Sequence, residues 1–414
     1  MPLVVYKFGG TSLSTPARIR NAAKRLRLAF QSGTTVVAVV SAMGNTTDRL
    51  LRLARQVGAA EPSPREQDML VANGESISAP LLAMALHVQG MPAVSLSGLQ
   101  AGIVTSRSHS RAKIRRVSPA RIQAALKHGQ VPVVAGFQGV TEDLDVTTLG
   151  RGGSDTTAVA LAAALQADWC EILTDVDGIY TADPRLVPQA RLLDSITYEE
   201  MLELASVGAK VMHPRAVELG GLYSIPIKVR SSFNNRPGTI ICATANMEEG
   251  KKVTSVACDD SVSKITVNGV PDRPGIAAAL FAPLGQAGIS VDVILQNISH
   301  AGHTDVSFTV PRGDGDLALS LVKKVADAIG AADAVLDPDV CKVSIVGTGM
   351  LGSPGIAATM FGALAARQIN IEMISTSEIR ITCIVHRRHL ADSVRTLHET
   401  FELGNVAARA DGLG

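Results

Sequence analysis

The sequence predicts an α/β fold, a parallel-rich sheet sandwiched by helices, followed by two small α+β modules. Three observations carry this. Fully apolar runs alternate with helix-period segments over the first half of the chain, the pattern of a parallel sheet covered on both faces. Beyond residue 264 the chain repeats itself. ITVNGVPDRPGIAAALFAPLGQAGISVDVI (265–294) matches VSIVGTGMLGSPGIAATMFGALAARQINIEMI (343–374). Ile265 aligns with Val343 at the strand, and Pro274 with Pro354 at the turn, the second unit being slightly longer between them. A charged stretch at 247–252, MEEGKK, separates the two regimes.

In chain order, LVVYKF (3–8) reads as a strand and 16–31 as a helix, and TVVAVVS (35–41) is a second apolar strand. A helix near 77–89, strand 92–96, helix 119–128, strand 131–135, helix 156–166 and strand 169–174 follow. Each later repeat unit reads strand, Pro-Gly turn, helix, strand, strand, helix. The domain bounds are therefore 1–245 for the α/β part, 246–263 for a linker and edge strand, and 264–338 and 339–414 for the two modules. The strand-like VTSVAC (253–258) is expected to complete the sheet of the last module.

Composition narrows the function. At 46% hydrophobic residues and a net charge of +1, bulk charge offers no drive toward nucleic acid or a membrane surface. The basic run RSHSRAKIRR (107–116) holds no aromatic for base stacking and reads as a solvated loop. Cys170, Cys242, Cys258, Cys341 and Cys383 form no close pair or metal-ligand spacing, as in a reducing cytoplasm. No apolar run is read as membrane-spanning, and Met1–Pro2 lead straight into a strand, so no signal peptide is expected.

The chemistry gathers at strand ends, where parallel sheets place their ligands. Lys7–Phe8–Gly9–Gly10 resembles a phosphate cradle of backbone N–H groups and one ammonium, although alone it reads as well as an ordinary turn. TTLGRGGSDTTA (147–158) is a glycine-rich turn opening a helix. A helix start presents unpaired N–H groups to an anion, and Arg151 adds a cationic fork beside Asp155. A plain turn capped by Ser154 or Asp155 is the alternative. Glu75, taken alone, reads as a helix-start carboxylate with no ligand, and Asp175 and Asp177 as turn formers. GTGMLG (347–352) fits a dinucleotide fingerprint, with Glu372 following at the expected distance. It is set aside, because the sister repeat has GVPDRPG there and too little chain follows Glu372 to complete a dinucleotide-binding sheet.

Together these stretches resemble aspartate kinase, of the amino-acid kinase superfamily, over essentially the whole chain. The resemblance rests on KFGGTS (7–12), VVSAMGNTTD (39–48), NGESIS (73–78), AGFQGV (135–140), TTLGRGGSDTTA, TDVDGIYTADPR (174–185), GAKVMHPRAVE (208–218) and VRSSFNNRPGT (229–239). The tail resembles tandem ferredoxin-like ACT modules through VPDRPGIAA, ILQNIS and INIEMISTSEI. Ser76 stands where that family usually carries Arg or Gln.

The resemblance implies ATP-dependent phosphorylation of the β-carboxylate of L-aspartate, with Mg²⁺ held through the ATP phosphates and no direct protein ligand. Lys7 and Asp155 would be catalytic. Lys7, Gly9, Gly10, Ser41, Thr174, Asp175, Tyr180, Arg185 and Lys210 would serve ATP. Thr47, Glu75, Arg151, Gly152, Gly153 and Ser154 would bind aspartate, Glu75 at its ammonium and Arg151 at its α-carboxylate. The attacking carboxylate is ionised at neutral pH, so no general base is required. A free amino acid, lysine and/or threonine, would bind the ACT modules through helix starts and neighbouring strands and inhibit by feedback. The residues are Asp272, Pro274, Gly275, Ile276, Ala277, Ser290, Val291, Asp292 and Gln296 in one repeat, and Ile356, Ala357, Asn370, Ile371, Ser377 and Glu378 in the other. Such modules dimerise, giving a homodimer, or an α₂β₂ assembly if Met247 begins a separate regulatory chain. A non-catalytic amino-acid sensor on a kinase fold is the reading from a different class.

Overall fold

The computed structural model describes residues 1–58, 62–209, 211–244, 252–296 and 302–404. Two compact units form. The first comprises Met1–Ile179, Leu192–Ala205 and Lys210–Met247, and the second Tyr180–Arg191, Ser206–Ala209 and Glu248–Gly414. A linear boundary at 245 therefore differs from the observed division at two short segments. The reason is local: Val256 N–H donates to Thr181 O at 2.8 Å, so the 180–191 segment satisfies its backbone on a strand of the second unit.

The first unit is built on an eight-stranded sheet. Its central strands are Leu3–Phe8, Thr35–Val40, Val131–Ala135 and Trp169–Thr174. Leu3–Phe8 pairs in parallel with Thr35–Val40 on one side and Trp169–Thr174 on the other. Chain order thus diverges from this first strand, and a crevice opens at its carboxyl end. The strands are apolar because both faces are covered: Val4, Val5, Val37, Val39, Val133 and Cys170 are all fully buried. Thr239–Cys242 runs antiparallel to Ile227–Ser231, the sheet's departure from parallel order. A second sheet of four short strands, Ile103–Thr105, Ile114–Val117, Gln138–Val140 and Val146–Thr148, holds the basic 107–116 run on its rim.

Two helices begin earlier than expected. Asn73–Val88 includes the whole NGES stretch, because Pro64–Val71 runs into it through Ala72 in the right-handed helical region. The combined run Pro64–Val88 is long and apolar enough to cross a membrane by length and composition, against the expectation of none. Half of its apolar window is buried in the protein's own interior, where Ala79, Leu82, Ala83 and Leu86 join the core with Leu26 and Ala38. The glycine-rich turn likewise yields a helix from Gly153, with Gly152 as its N-cap and no side-chain capping bond. This removes the reading of Ser154 or Asp155 as a plain cap.

The second unit holds two α+β modules in the predicted order. One sheet is formed by Val262–Pro271, Asp292–Gln296, His303–Pro311 and Asp333–Asp337, with helices Ile276–Gln286 and Gly315–Ile329. The other is formed by Val340–Val346, Ile371–Ser377 and Arg380–His386, with helices Ile356–Ala366 and Leu390–Thr400. Ser255–Asp259 completes the second sheet, antiparallel to Val340–Val346. GTGMLG forms a 3-10 turn at Thr348–Met350, and the helix starts only at Ile356. The surrounding sheet is antiparallel, which leaves no dinucleotide crevice.

The repeat also appears in the charges. Lys264 of the first module pairs with Glu372 of the second, and Lys342 of the second pairs with Asp292 of the first. Lys264 and Lys342 hold equivalent positions in the repeat, and so do Asp292 and Glu372. The two ion pairs are therefore the same contact made reciprocally. Val262, Val293, Val340, Met373 and Ile384 form the apolar cluster shared by the modules.

Candidate active site

The carboxyl end of Leu3–Phe8 organises the site. Lys7 Nζ lies 2.6 Å from Asp155 Oδ1, and their side chains are only 10% and 12% exposed. Asp155 reaches this position because the glycine turn lets the helix Gly153–Leu165 start there. Gly152 has φ +65°, and a Cβ on it would lie 2.2 Å from the Cβ of His213. Only glycine tolerates both constraints. A Cβ on Gly153 would meet Phe137 at 2.8 Å and Leu149 at 2.9 Å.

The KFGG turn is fixed by neighbouring strand ends. Gly9 N–H donates to Leu173 O at 3.0 Å, Ser41 N–H to Phe8 O at 3.0 Å, and Gly44 N–H to Gly10 O at 2.9 Å. A Cβ on Gly10 would sit 2.8 Å from Ala42 O, so two backbones approach each other there. Thr47 lies in the first turn of helix Thr46–Val57.

Glu75 is 3% exposed. Its Oε1 accepts the Ala42 N–H at 3.0 Å, while Oε2 is buried with no partner among the described residues. Burial pushes its carboxyl up to about 7, against the opposing pull of two backbone N–H groups and the Lys7 ammonium. A buried acid with one oxygen unused is suited to receive a cationic group. Ser76 donates to Ala72 O at 3.0 Å and receives Gln138 Nε2 at 3.2 Å.

The structure brings Lys7, Gly9, Gly10, Ser41, Glu75 and Asp155 to the ends of adjacent strands. Arg151 is exposed on the turn, and Ser154 is buried. Thr174 and Asp175 close the strand Trp169–Thr174, with Thr174 Oγ1 donating to Asp175 Oδ1 at 3.1 Å. Tyr180 and Arg185 belong to the second unit, and the Arg185 guanidinium is paired to Asp183 at 2.6 Å. Lys210 and Met247 lie outside the described residues.

In the modules, Gly275 and Gly355 cap their helices at φ +92° and +91°. Asp272, Pro274, Gly275, Ala277, Ser290, Gln296, Asn370, Ser377 and Glu378 are exposed, Ile276, Val291, Ala357 and Ile371 half-buried, and Ile356 buried. Asp292, expected to offer a carboxylate to an amino acid's ammonium, already holds Lys342. Burial would raise its carboxyl, and the Lys342 hydrogen bond overrides this and holds it below the usual range.

Two groups at the turn are absent from the sequence reading: His213 and Arg215, both from the stretch GAKVMHPRAVE. A His-Pro pair opening a helix was the available signal. Asp68, fully buried, was also missed. It accepts Ser110 N–H at 2.9 Å and Thr148 N–H at 3.0 Å, tying the basic loop to the strand before the turn.

A model of the amino acid kinase family matches residues 2–231, and an ACT domain model matches 265–325 and 343–401. An aspartokinase of Pseudomonas aeruginosa is 48% identical over 413 residues, spanning 99% of this chain and 100% of its own. E. coli aspartokinase III, solved with aspartate and ADP in its R-state, is 26% identical with a TM-score of 0.80, over 96% of this chain and 99% of that one. The same protein solved with lysine and aspartate in its T-state is 27% identical with a TM-score of 0.78, at the same coverage. The chain belongs to the aspartate kinases of the amino acid kinase family, with tandem ACT domains following the catalytic fold.

Proposed function

We propose that the first unit transfers the γ-phosphoryl group of ATP to the β-carboxylate of L-aspartate. A carboxylate oxygen attacks the γ-phosphorus, the bond to the β–γ bridging oxygen breaks, and ADP departs with 4-phospho-L-aspartate as the second product. This is the entry step to lysine, threonine and methionine biosynthesis. The observation that carries the reading is the buried Lys7–Asp155 pair beside the half-used carboxylate of Glu75. Lys7 neutralises charge on the transferred group, with Gly9 and Gly10 as the phosphate cradle and Asp155 aiming the ammonium. Ser41, Thr174, Asp175 and Lys210 serve the nucleotide, and Thr47 and Gly152–Ser154 the aspartate. The relative solved with aspartate and ADP supports both substrates. Mg²⁺ would be held by the nucleotide's phosphates and would supply further charge neutralisation. The test is hydroxylamine trapping of the acyl phosphate: aspartyl hydroxamate should form only with ATP and aspartate together. Its absence would favour the amino-acid sensor.

Arg151→Ala should separate the two substrates. Removing one charge-assisted contact of about 1.5–3 kcal/mol should raise the aspartate KM by roughly ten- to a hundredfold, with the ATP KM unchanged. Equal kinetics for variant and wild type would remove Arg151 from the substrate site.

The ACT modules are proposed to bind lysine, threonine or both, as the lysine-bound T-state relative supports for lysine. An inhibitor acts by binding the inactive arrangement better than the active one. Ser377→Ala is expected to keep near-normal uninhibited activity with weakened inhibition. Asp292→Ala should do likewise and also lower the melting temperature, since it strands Lys342, whose side chain is 5% exposed. Full feedback sensitivity in both variants, or a wild type indifferent to both amino acids, would refute the assignment.

The assembly is proposed to be a homodimer through the ACT modules, or α₂β₂ with a chain begun at Met247. Edge strands Asp292–Gln296 and Ile371–Ser377 with exposed Ile294, Leu295 and Ile374 support module pairing. An immunoblot of native cells with a tail-directed antibody should show a second, shorter band running from Met247 to Gly414, if the shorter chain exists. A single full-length band excludes it. All five cysteines are free, which supports a reducing, cytoplasmic location.

A further inference from the structure

The turn that carries Arg151 has little stiffness of its own. Gly150 and Gly152 flank the arginine with φ of +77° and +65°, and glycine imposes the least torsional resistance of any residue. A recognition arginine on such a turn presents its fork to one place only if something else holds the backbone. The described contacts identify that support.

Arg215 Nη1 donates to Leu149 O at 2.8 Å, just ahead of Arg151 in the chain, and Nη2 donates to Ala112 O at 3.1 Å. Ala112 N–H in turn donates to Thr148 O at 2.9 Å. One guanidinium therefore pins the root of the turn to the neighbouring segment. His213 stands behind the turn, close enough to Gly152 that a Cβ there would meet its ring Cγ at 2.4 Å. The His213 ring is itself fixed, because its Nδ1 accepts the Arg215 N–H at 3.4 Å and caps helix Pro214–Leu222.

We propose that Arg215 is a positioning residue for aspartate recognition, its two-pronged donation holding the Leu149–Gly153 turn against the His213 ring so that Arg151 meets the substrate carboxylate. The inference rests on the reading of Arg151 as that carboxylate's ligand. A lysine cannot replace Arg215, because a single ammonium on a flexible stem does not reproduce a planar fork spanning two carbonyls.

The test is steady-state kinetics on the full-length enzyme with Arg215→Lys, Arg215→Ala and Arg151→Ala. Displacing a binding group by about 1 Å costs on the order of a hundredfold. Arg215→Lys is therefore expected to raise the aspartate KM at least about tenfold, with the ATP KM within about twofold of wild type. Arg215→Ala should show a larger rise, partly reversed by millimolar guanidinium chloride, whose planar ion re-forms the bridge. If Arg215→Ala does not fold, Arg215→Lys keeps the charge and decides the matter. An unchanged aspartate KM in Arg215→Lys, or an equal rise for both substrates, overturns the positioning role while a raised KM in Arg151→Ala leaves the substrate site standing. An unchanged aspartate KM in Arg151→Ala overturns the reading of Arg151 itself, and the positioning role falls with it.

Discussion

Lys7→Ala is expected to lower kcat/KM by about three orders of magnitude or more, because the ammonium acts where phosphoryl charge develops in a water-poor site. The variant has a second consequence. Asp155 is 12% exposed at its side chain and is neutralised by Lys7. Breaking a buried pair by removing one partner costs about 3–5 kcal/mol, so an inactive Lys7→Ala could reflect a damaged fold. Lys7→Met combined with Asp155→Asn removes both charges and should fold, as followed by circular dichroism and thermal melting, while remaining inactive. Turnover close to wild type in that double variant would reduce the KFGG turn to a structural element.

Glu75→Gln is expected to stabilise the unliganded enzyme at alkaline pH and to cripple aspartate binding. The Glu75 carboxyl titrates at about 7 because burial disfavours its charged form. A group whose folded pKa is raised contributes stability that is complete below its unfolded value, here the ordinary carboxyl range, and lost as pH rises through about 7. At pH 8 the wild type therefore carries an ionised buried carboxylate at a cost on the order of 3 kcal/mol. Glutamine keeps an oxygen for the Ala42 N–H and removes that charge. The melting temperature of Glu75→Gln should exceed that of wild type at pH 8, and the gap should close near pH 5. The same carboxylate is what an aspartate ammonium would meet, so the variant's aspartate KM should rise by at least about tenfold. The wild-type aspartate KM should fall as pH climbs through 7. A Glu75→Gln enzyme less stable than wild type at pH 8, with an unaltered aspartate KM, would contradict both halves of the argument.

Much of the fold was legible in the chain. Val4, Val5, Val37 and Val133 sit in unbroken apolar runs because their strands are covered on both faces, so they announce a parallel sheet. The tail repeat, with its Pro-Gly turns at matching places, announced two like modules, and the structure returns them with matching glycine caps and reciprocal ion pairs. Lys7, Arg151 and Asp155 drew attention because each stands in or beside a glycine turn, where local sequence reflects local geometry, whereas Glu75 was singled out by the family resemblance.

Tertiary structure decided which of those groups meet. Lys7 and Asp155 stand far apart in sequence, and their contact depends on where a strand end and a helix start fall in the assembled sheet. The state of Glu75 is likewise non-local, because burial raises its pKa against the opposing hydrogen bond from the Ala42 N–H, which follows a distant strand. Lys342 occupying Asp292 was invisible for the same reason: a carboxylate in a strand looks available until the partner sheet's lysine is placed against it. His213 and Arg215 read as an ordinary helix opening. Their role emerges only once the fold sets Gly152 against one and Leu149 against the other. Residue type and spacing specify what the chain forms locally, through backbone torsion and side-chain burial. Which charges are paired, buried or free depends on contacts between distant segments, and those follow from packing.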